Sequence, residues 1–135
     1  MSERLTRDEY GIIIAEAAAA RADCTRRRIG AAIFDADGWL VSASYNGTPP
    51  GMVNCTDGGC PRGAFTHQDV PANQGSAVGL PECTAWHAER NAIFKALERG
   101  ADLPTCTLYV TATTGPCPDC TELIRKTKVG RVVLP

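Results

Sequence analysis

A chain of 135 residues with a formal net charge of −1 has room for one domain and carries no basic excess for gripping a nucleic-acid duplex. Hydrophobic residues make up 44 % and charged residues 21 %, which supports a packed core and excludes a disordered chain. No run of about 18 apolar residues is present to span a membrane, and the N-terminus lacks the apolar core of a signal peptide, so a cytoplasmic protein is expected.

In chain order, Thr6 with Glu9 three residues on is a capping box, and the alanine-rich stretch behind it predicts a helix over 6–23. Ile29–Phe34 and Trp39–Tyr45 flank Asp35-Ala36-Asp37-Gly38 and read as a β-hairpin. Residues 46–81 hold seven glycines and five prolines with little periodicity. A loop that long inside a domain is functional or stapled. A helix follows over 84–98, with Ala92, Ile93, Ala96 and Leu97 on one face and Gly100 closing it. A strand at 108–113, a helix at 119–128 and a strand at 131–134 complete the order. One α/β domain over 1–135 is expected, a sandwich with a mixed sheet.

Two short motifs carry chemistry. Cys117 and Cys120 are three apart at a helix start, so both sulfurs reach one ion, and the helix dipole favours their thiolates. A thioredoxin-like redox pair would follow the first strand, whereas this one follows the third. Seven cysteines cannot all pair within one chain, and in a reducing compartment they point to thiols or metal ligands. His87, one of two histidines, lies about 30 residues upstream with Glu89 beside it. A third ligand would leave zinc one open position, and a carboxylate next to the water there could shuttle protons. The run Arg26-Arg27-Arg28 reads either as a solvated turn or as an anion site.

His-x-Glu followed by Pro-Cys-x-x-Cys resembles the zinc-deaminase signature. Beyond it, Cys24 to Ala31, the loop Tyr45-Asn46-Gly47-Thr48-Pro49-Pro50-Gly51, Cys83 to Ile93 and Tyr109-Val110-Thr111 resemble deoxycytidylate (dCMP) deaminases. The resemblance implies a three-layer α/β/α sandwich of the cytidine deaminase type and hydrolysis of dCMP to dUMP. It implies zinc on His87, Cys117 and Cys120, Glu89 as proton shuttle, and Asn46 and the backbone at Ala88 as substrate contacts. It also implies a homo-oligomer, dimer or hexamer, with a small nucleotide as partner.

A nucleotide needs a phosphate site, for which Arg26 and Arg28 are the candidates. Ala112 to Gly115 is expected to line the base pocket. A second, structural zinc on Cys24, Cys55, Cys60 and Cys83, with His67 as a substitute, would pin the glycine-rich loop; the other reading is buried free thiols. Cys106 reads as core. Other readings stay open: deamination of another nucleoside, nucleotide or base, of tRNA adenosine, or a non-catalytic zinc module.

Overall fold

The strand Gly30–Phe34 has every residue buried because helices cover both of its faces. The computed structural model describes residues 3–71, 74 and 79–135. Its elements are α1 (Arg7–Ala19), β1 (Gly30–Phe34), β2 (Leu40–Tyr45), α2 (Ala88–Glu98), β3 (Thr107–Val110), α3 (Pro118–Thr127) and β4 (Arg131–Val133). The sheet order is β2-β1-β3-β4. β1 runs antiparallel to β2 and β3, and β3 runs parallel to β4, so the sheet is mixed.

Alternation along β1 and β3 sorts the core into two halves. Ala32, Phe34 and Tyr109 point to α1, where they meet Ala15. Ala31, Ile33, Leu108 and Val110 point the other way, to Ala88, Ala92, Ile93 and Ala96 of α2, with Leu123 and Ile124 of α3 packed alongside. This is the three-layer α/β/α sandwich the resemblance implied. Cys106 lies in the second half with 2 % exposure, as expected of a core cysteine.

The predicted elements are present, with shifted ends. Thr6 and Glu9 form both halves of the capping box. α1 stops at Ala19 rather than 23, where the Arg21 and Ala22 amides turn to acceptors three residues back and Asp23 turns to the Asn46 carbonyl. The hairpin turn closes around Asp35, whose carboxylate accepts from the amides of Asp37 and Trp39, with Gly38 at φ +87°. α2 starts at Ala88 rather than 84, because Trp86 and Gly47 exchange backbone hydrogen bonds of 2.7 and 3.1 Å and hold that stretch extended. Among the described residues no helix is long and apolar enough to cross a membrane.

Two glycines let α1 lie close on the sheet. A Cβ on Gly11 would meet the Tyr109 ring at 2.5 Å, and one on Gly30 would meet the Ala15 carbonyl oxygen at 1.8 Å. The obstacle at Gly30 is helix backbone, which cannot swing aside. Gly30→Ala is therefore expected to lift α1 and cost at least about 1–3 kcal/mol in urea unfolding. An unchanged midpoint would show that α1 is not seated by that contact.

Candidate metal centre and its cleft

Two helices begin at the same place. His87 is the N-cap of α2, Cys117 is the N-cap of α3, and Cys120 lies in the first turn of α3. Pro118 follows Cys117, where its missing N–H costs nothing and its fixed φ suits a helix start. α2 is pegged to β2 by three bonds. Ser42 and Ser44 hydroxyls donate to the carbonyls of Ala92 (2.8 Å) and Ala88 (2.6 Å), and the Asn91 amide donates to that of Tyr45 (3.1 Å).

The result is a triad of donors. His87 Nδ1 lies 3.3 Å from the sulfur of Cys117 and 3.3 Å from that of Cys120. All three ligand atoms lie within 4.8 Å of one another. Zinc bonds of about 2.0–2.1 Å to nitrogen and 2.3 Å to sulfur, set tetrahedrally, put nitrogen and sulfur about 3.5 Å apart. The donor set fits zinc in spacing and in chemistry.

Electrostatics point the same way. The Cys117 thiol is held down to about 4 by the hydrogen bond from Cys120 and then by His87, against the opposing effect of burial. Cys120 is pushed up because Cys117 takes the shared negative charge and because it is buried. Hydrogen bonds donated to Cys117 and then to Cys83 raise His87 to about 10. Loading a metal on this triad therefore releases protons. Glu89 is 4 % exposed, and burial is the main effect pushing its carboxyl upward. A carboxyl raised in this way suits proton transfer near neutral pH.

These residues open onto a cleft of about 720 Å³, counting its open mouth. His87, Glu89 and Cys117 line its buried floor, and Asn46, Ala112 and Gly115 its walls. Asn46 is 6 % exposed; it accepts from the Ile29 amide at 2.9 Å and donates to the Arg27 carbonyl at 2.8 Å. It thus braces the start of β1 while facing the cleft. Ala88 is fully buried, and its carbonyl is taken by Ser44. Helix geometry gives the first-turn amides of α2 no acceptor within the helix.

The arginines are placed differently from expectation. Arg26 sends its guanidinium to the carbonyls of Phe65, Thr66, Val70 and Pro71 at 2.5–3.4 Å. It holds the long loop and also lines the cleft. Arg28 is exposed and does not line the cleft. Arg27 and Arg62 line the cleft together with Arg26.

The structure does not assemble the second metal site. Among the described residues, the one group of three or more donors within 4.8 Å is His87, Cys117 and Cys120. Cys60 and Cys83 line the cleft, Cys55 takes hydrogen bonds from Thr25, and His67 is exposed. Hydrogen bonds pin the loop instead. The Thr25 hydroxyl donates to the Gly63 carbonyl (2.9 Å), the Thr84 hydroxyl to that of Gly59 (3.0 Å) and the Arg62 amide to that of Glu82 (2.9 Å). Part of the predicted 46–81 loop, residues 72–73 and 75–78, lies outside the described residues. Arg26→Ala is expected to speed protease cleavage within residues 65–71 at least severalfold while zinc content holds. Unchanged cleavage would mean the four carbonyl contacts do not secure the loop.

The chain is similar to known deaminases. The deoxycytidylate deaminase of Mycobacterium phage D29 is 40 % identical over 131 residues, covering 95 % of this chain and 93 % of that protein. That of Saccharomyces cerevisiae is 37 % identical over 128 residues, covering 93 % of this chain but 36 % of the yeast protein, so this chain spans about a third of the yeast relative. In fold, the dCMP deaminase of cyanophage S-TIM5 superposes with a TM-score of 0.69 at 22 % identity, over 98 % of this chain and 84 % of that one. The model of the cytidine and deoxycytidylate deaminase zinc-binding region matches residues 5–135, and with the His87, Cys117 and Cys120 triad in place, the chain belongs to that family.

Proposed function

We propose that this chain hydrolyses the amine of dCMP, giving dUMP and ammonia. One observation carries the reading: a buried carboxylate, Glu89, lines the same cleft as His87 and Cys117, two of the three clustered zinc donors. The similarity to the phage D29 deoxycytidylate deaminase over nearly its whole length supports the substrate.

His87, Cys117 and Cys120 would hold zinc, which when bound supplies a Lewis acid that makes water nucleophilic at neutral pH. The chain does the rest. Glu89 takes a proton from the attacking water and delivers it first to the ring nitrogen and then to the departing amine. Its burial keeps the proton from bulk solvent and holds the carboxyl ready to carry it. The Ala88 amide, in the first turn of α2 and so without an acceptor inside the helix, offers a donor to the pyrimidine carbonyl. Asn46, fixed through Ile29 and Arg27, presents its remaining amide valences to the sugar.

The reading includes a cytoplasmic setting, in keeping with seven free cysteines. It also includes association of like chains as a dimer or hexamer. The exposed Trp86, Phe94 and Leu97 on the α2 side would give such copies an apolar surface.

A substrate panel of dCMP, CMP, deoxycytidine and dCTP, followed by absorbance loss, tests the substrate; preference for any other member would displace dCMP. Glu89→Gln tests the mechanism. It is expected to keep zinc by metal analysis while kcat for dCMP falls about 10²–10⁴-fold. Full activity in that variant would remove Glu89 as the shuttle, and a wild-type protein with zinc but no turnover of any nucleotide would favour a structural module.

A further inference from the structure

Two serines of β2 donate to α2, and the two bonds end on different chemistry. Ser42 and Ser44 lie two apart, so both point from the same face of the strand towards the helix. The Ser42 hydroxyl donates to the Ala92 carbonyl at 2.8 Å, and that carbonyl shares a peptide group with the amide of Ile93, a fully buried core residue. The Ser44 hydroxyl donates to the Ala88 carbonyl at 2.6 Å, and that carbonyl shares a peptide group with the amide of Glu89. The Glu89 amide in turn donates to its own carboxylate. Ser44, the Ala88–Glu89 peptide and the Glu89 carboxylate thus form one chain of hydrogen bonds.

We propose that Ser44 is a positioning residue for deamination: its hydroxyl, bonded to the Ala88 carbonyl, fixes and polarises the peptide group that holds the Glu89 carboxylate. The assignment rests on the reading of Glu89 as the proton shuttle. A carbonyl that accepts a hydrogen bond makes the N–H of the same peptide a stronger donor, and bonds in such a chain strengthen one another. The Ser44 bond is the shorter of the two, and Glu89 is 4 % exposed, so little water competes with the amide for the carboxylate.

The requirement is for position rather than for helix stability. Helix geometry gives the Ala88 carbonyl a second donor, the amide of Ala92, so removal of the hydroxyl orphans no backbone group. Ser44 is half-buried whereas Ser42 is buried, so an alanine at 42 disturbs the packing at least as much. Both serines peg the same helix to the same strand, and one of them alone is joined to the shuttle. Ser42 is therefore the comparison that separates positioning from support.

The test sets Ser44→Ala and Ser44→Cys against Ser42→Ala in the zinc-loaded protein. Ser44→Ala is expected to lower kcat for dCMP about tenfold with KM within about threefold, the size of one ordinary hydrogen bond that counts in the transition state. Ser44→Cys keeps the shape with a weaker donor and should fall between Ser44→Ala and wild type. Ser42→Ala should keep kcat within about threefold of wild type, since its bond ends on a core residue. Nuclear magnetic resonance gives a second readout that needs no turnover. In Ser44→Ala the Glu89 amide proton should move upfield and exchange severalfold faster with solvent, and in Ser42→Ala it should do neither. Equal kcat losses at the two serines, a rise in KM with kcat unchanged, or a Glu89 amide indifferent to Ser44 would overturn the assignment. Metal analysis and thermal melting show whether a variant has lost zinc or unfolded, and Ser44→Cys, the milder change, then carries the comparison. Wild-type protein that does not deaminate dCMP, yet whose Glu89 amide answers to Ser44 and not to Ser42, would sink the proposed reaction and keep Ser44 as the residue that sets Glu89.

Discussion

Everything in the site depends on two helix N-termini converging on one point. Most helices cap their first turn with a Ser, Thr, Asp or Asn oxygen. α2 and α3 do not: His87 and Cys117 occupy the N-cap positions, and neither makes a side-chain cap bond. The positive ends of both helix dipoles therefore face the same small volume, where they favour thiolates and a carboxylate. A pair of uncapped helix starts is a poor way to stabilise helices and a good way to gather anionic ligands. The ordinary cap is present where no chemistry is asked for, at Thr6 of α1.

Such convergence needs an external scaffold, because neither helix start holds the other. The sheet supplies it. β2 fixes α2 through Ser42 and Ser44, and the parallel return of α3 into β4, beside β3, fixes the other end. Those serines sit on the inner face of β2, where an apolar residue would have packed without setting the helix in register. A hydroxyl bonded to a helix carbonyl sets both rotation and height of α2, and so the direction of His87. The long loop joins this scaffold at its first residues, where Gly47 pairs with Trp86 just before His87. Thr25, Arg26 and Thr84 tie it down by hydrogen bonds, and it forms walls around a floor that already exists.

This division explains what could be read from the sequence. His87, Glu89, Cys117 and Cys120 are legible because each pair lies within one turn of chain, where spacing alone dictates a shared face. The hairpin and the α1 cap are legible for the same reason. The start of α2 was placed at Thr84 because Thr84, Ala85 and Trp86 are compatible with a helix. The Gly47–Trp86 bridge that keeps them extended is a contact across about 40 residues and leaves no local mark. The grouping of Cys24, Cys55, Cys60 and Cys83 was likewise a long-range inference. They do crowd around the loop, yet three of their sulfurs do not converge as the catalytic donors do.

The arginine run divides where the chain enters the sheet. Ile29 is apolar and lines the cleft wall, and an extended chain puts residues two apart on one side. Arg27 lines the cleft as Ile29 does, Arg26 lines it while also holding the loop, and Arg28 is exposed. The consequence reaches beyond numbering. The floor is built from helix starts locked to the sheet, so its chemistry tolerates little change. The rim is built from two connecting segments, one carrying Arg27 and the other turning at Gly115, where φ is +82° and the amide closes onto Ala112. Residues on such segments can be exchanged without moving the donors. The metal donors and the cleft rim are thus set by separate parts of the fold, and the rim can be altered while the donors are left intact.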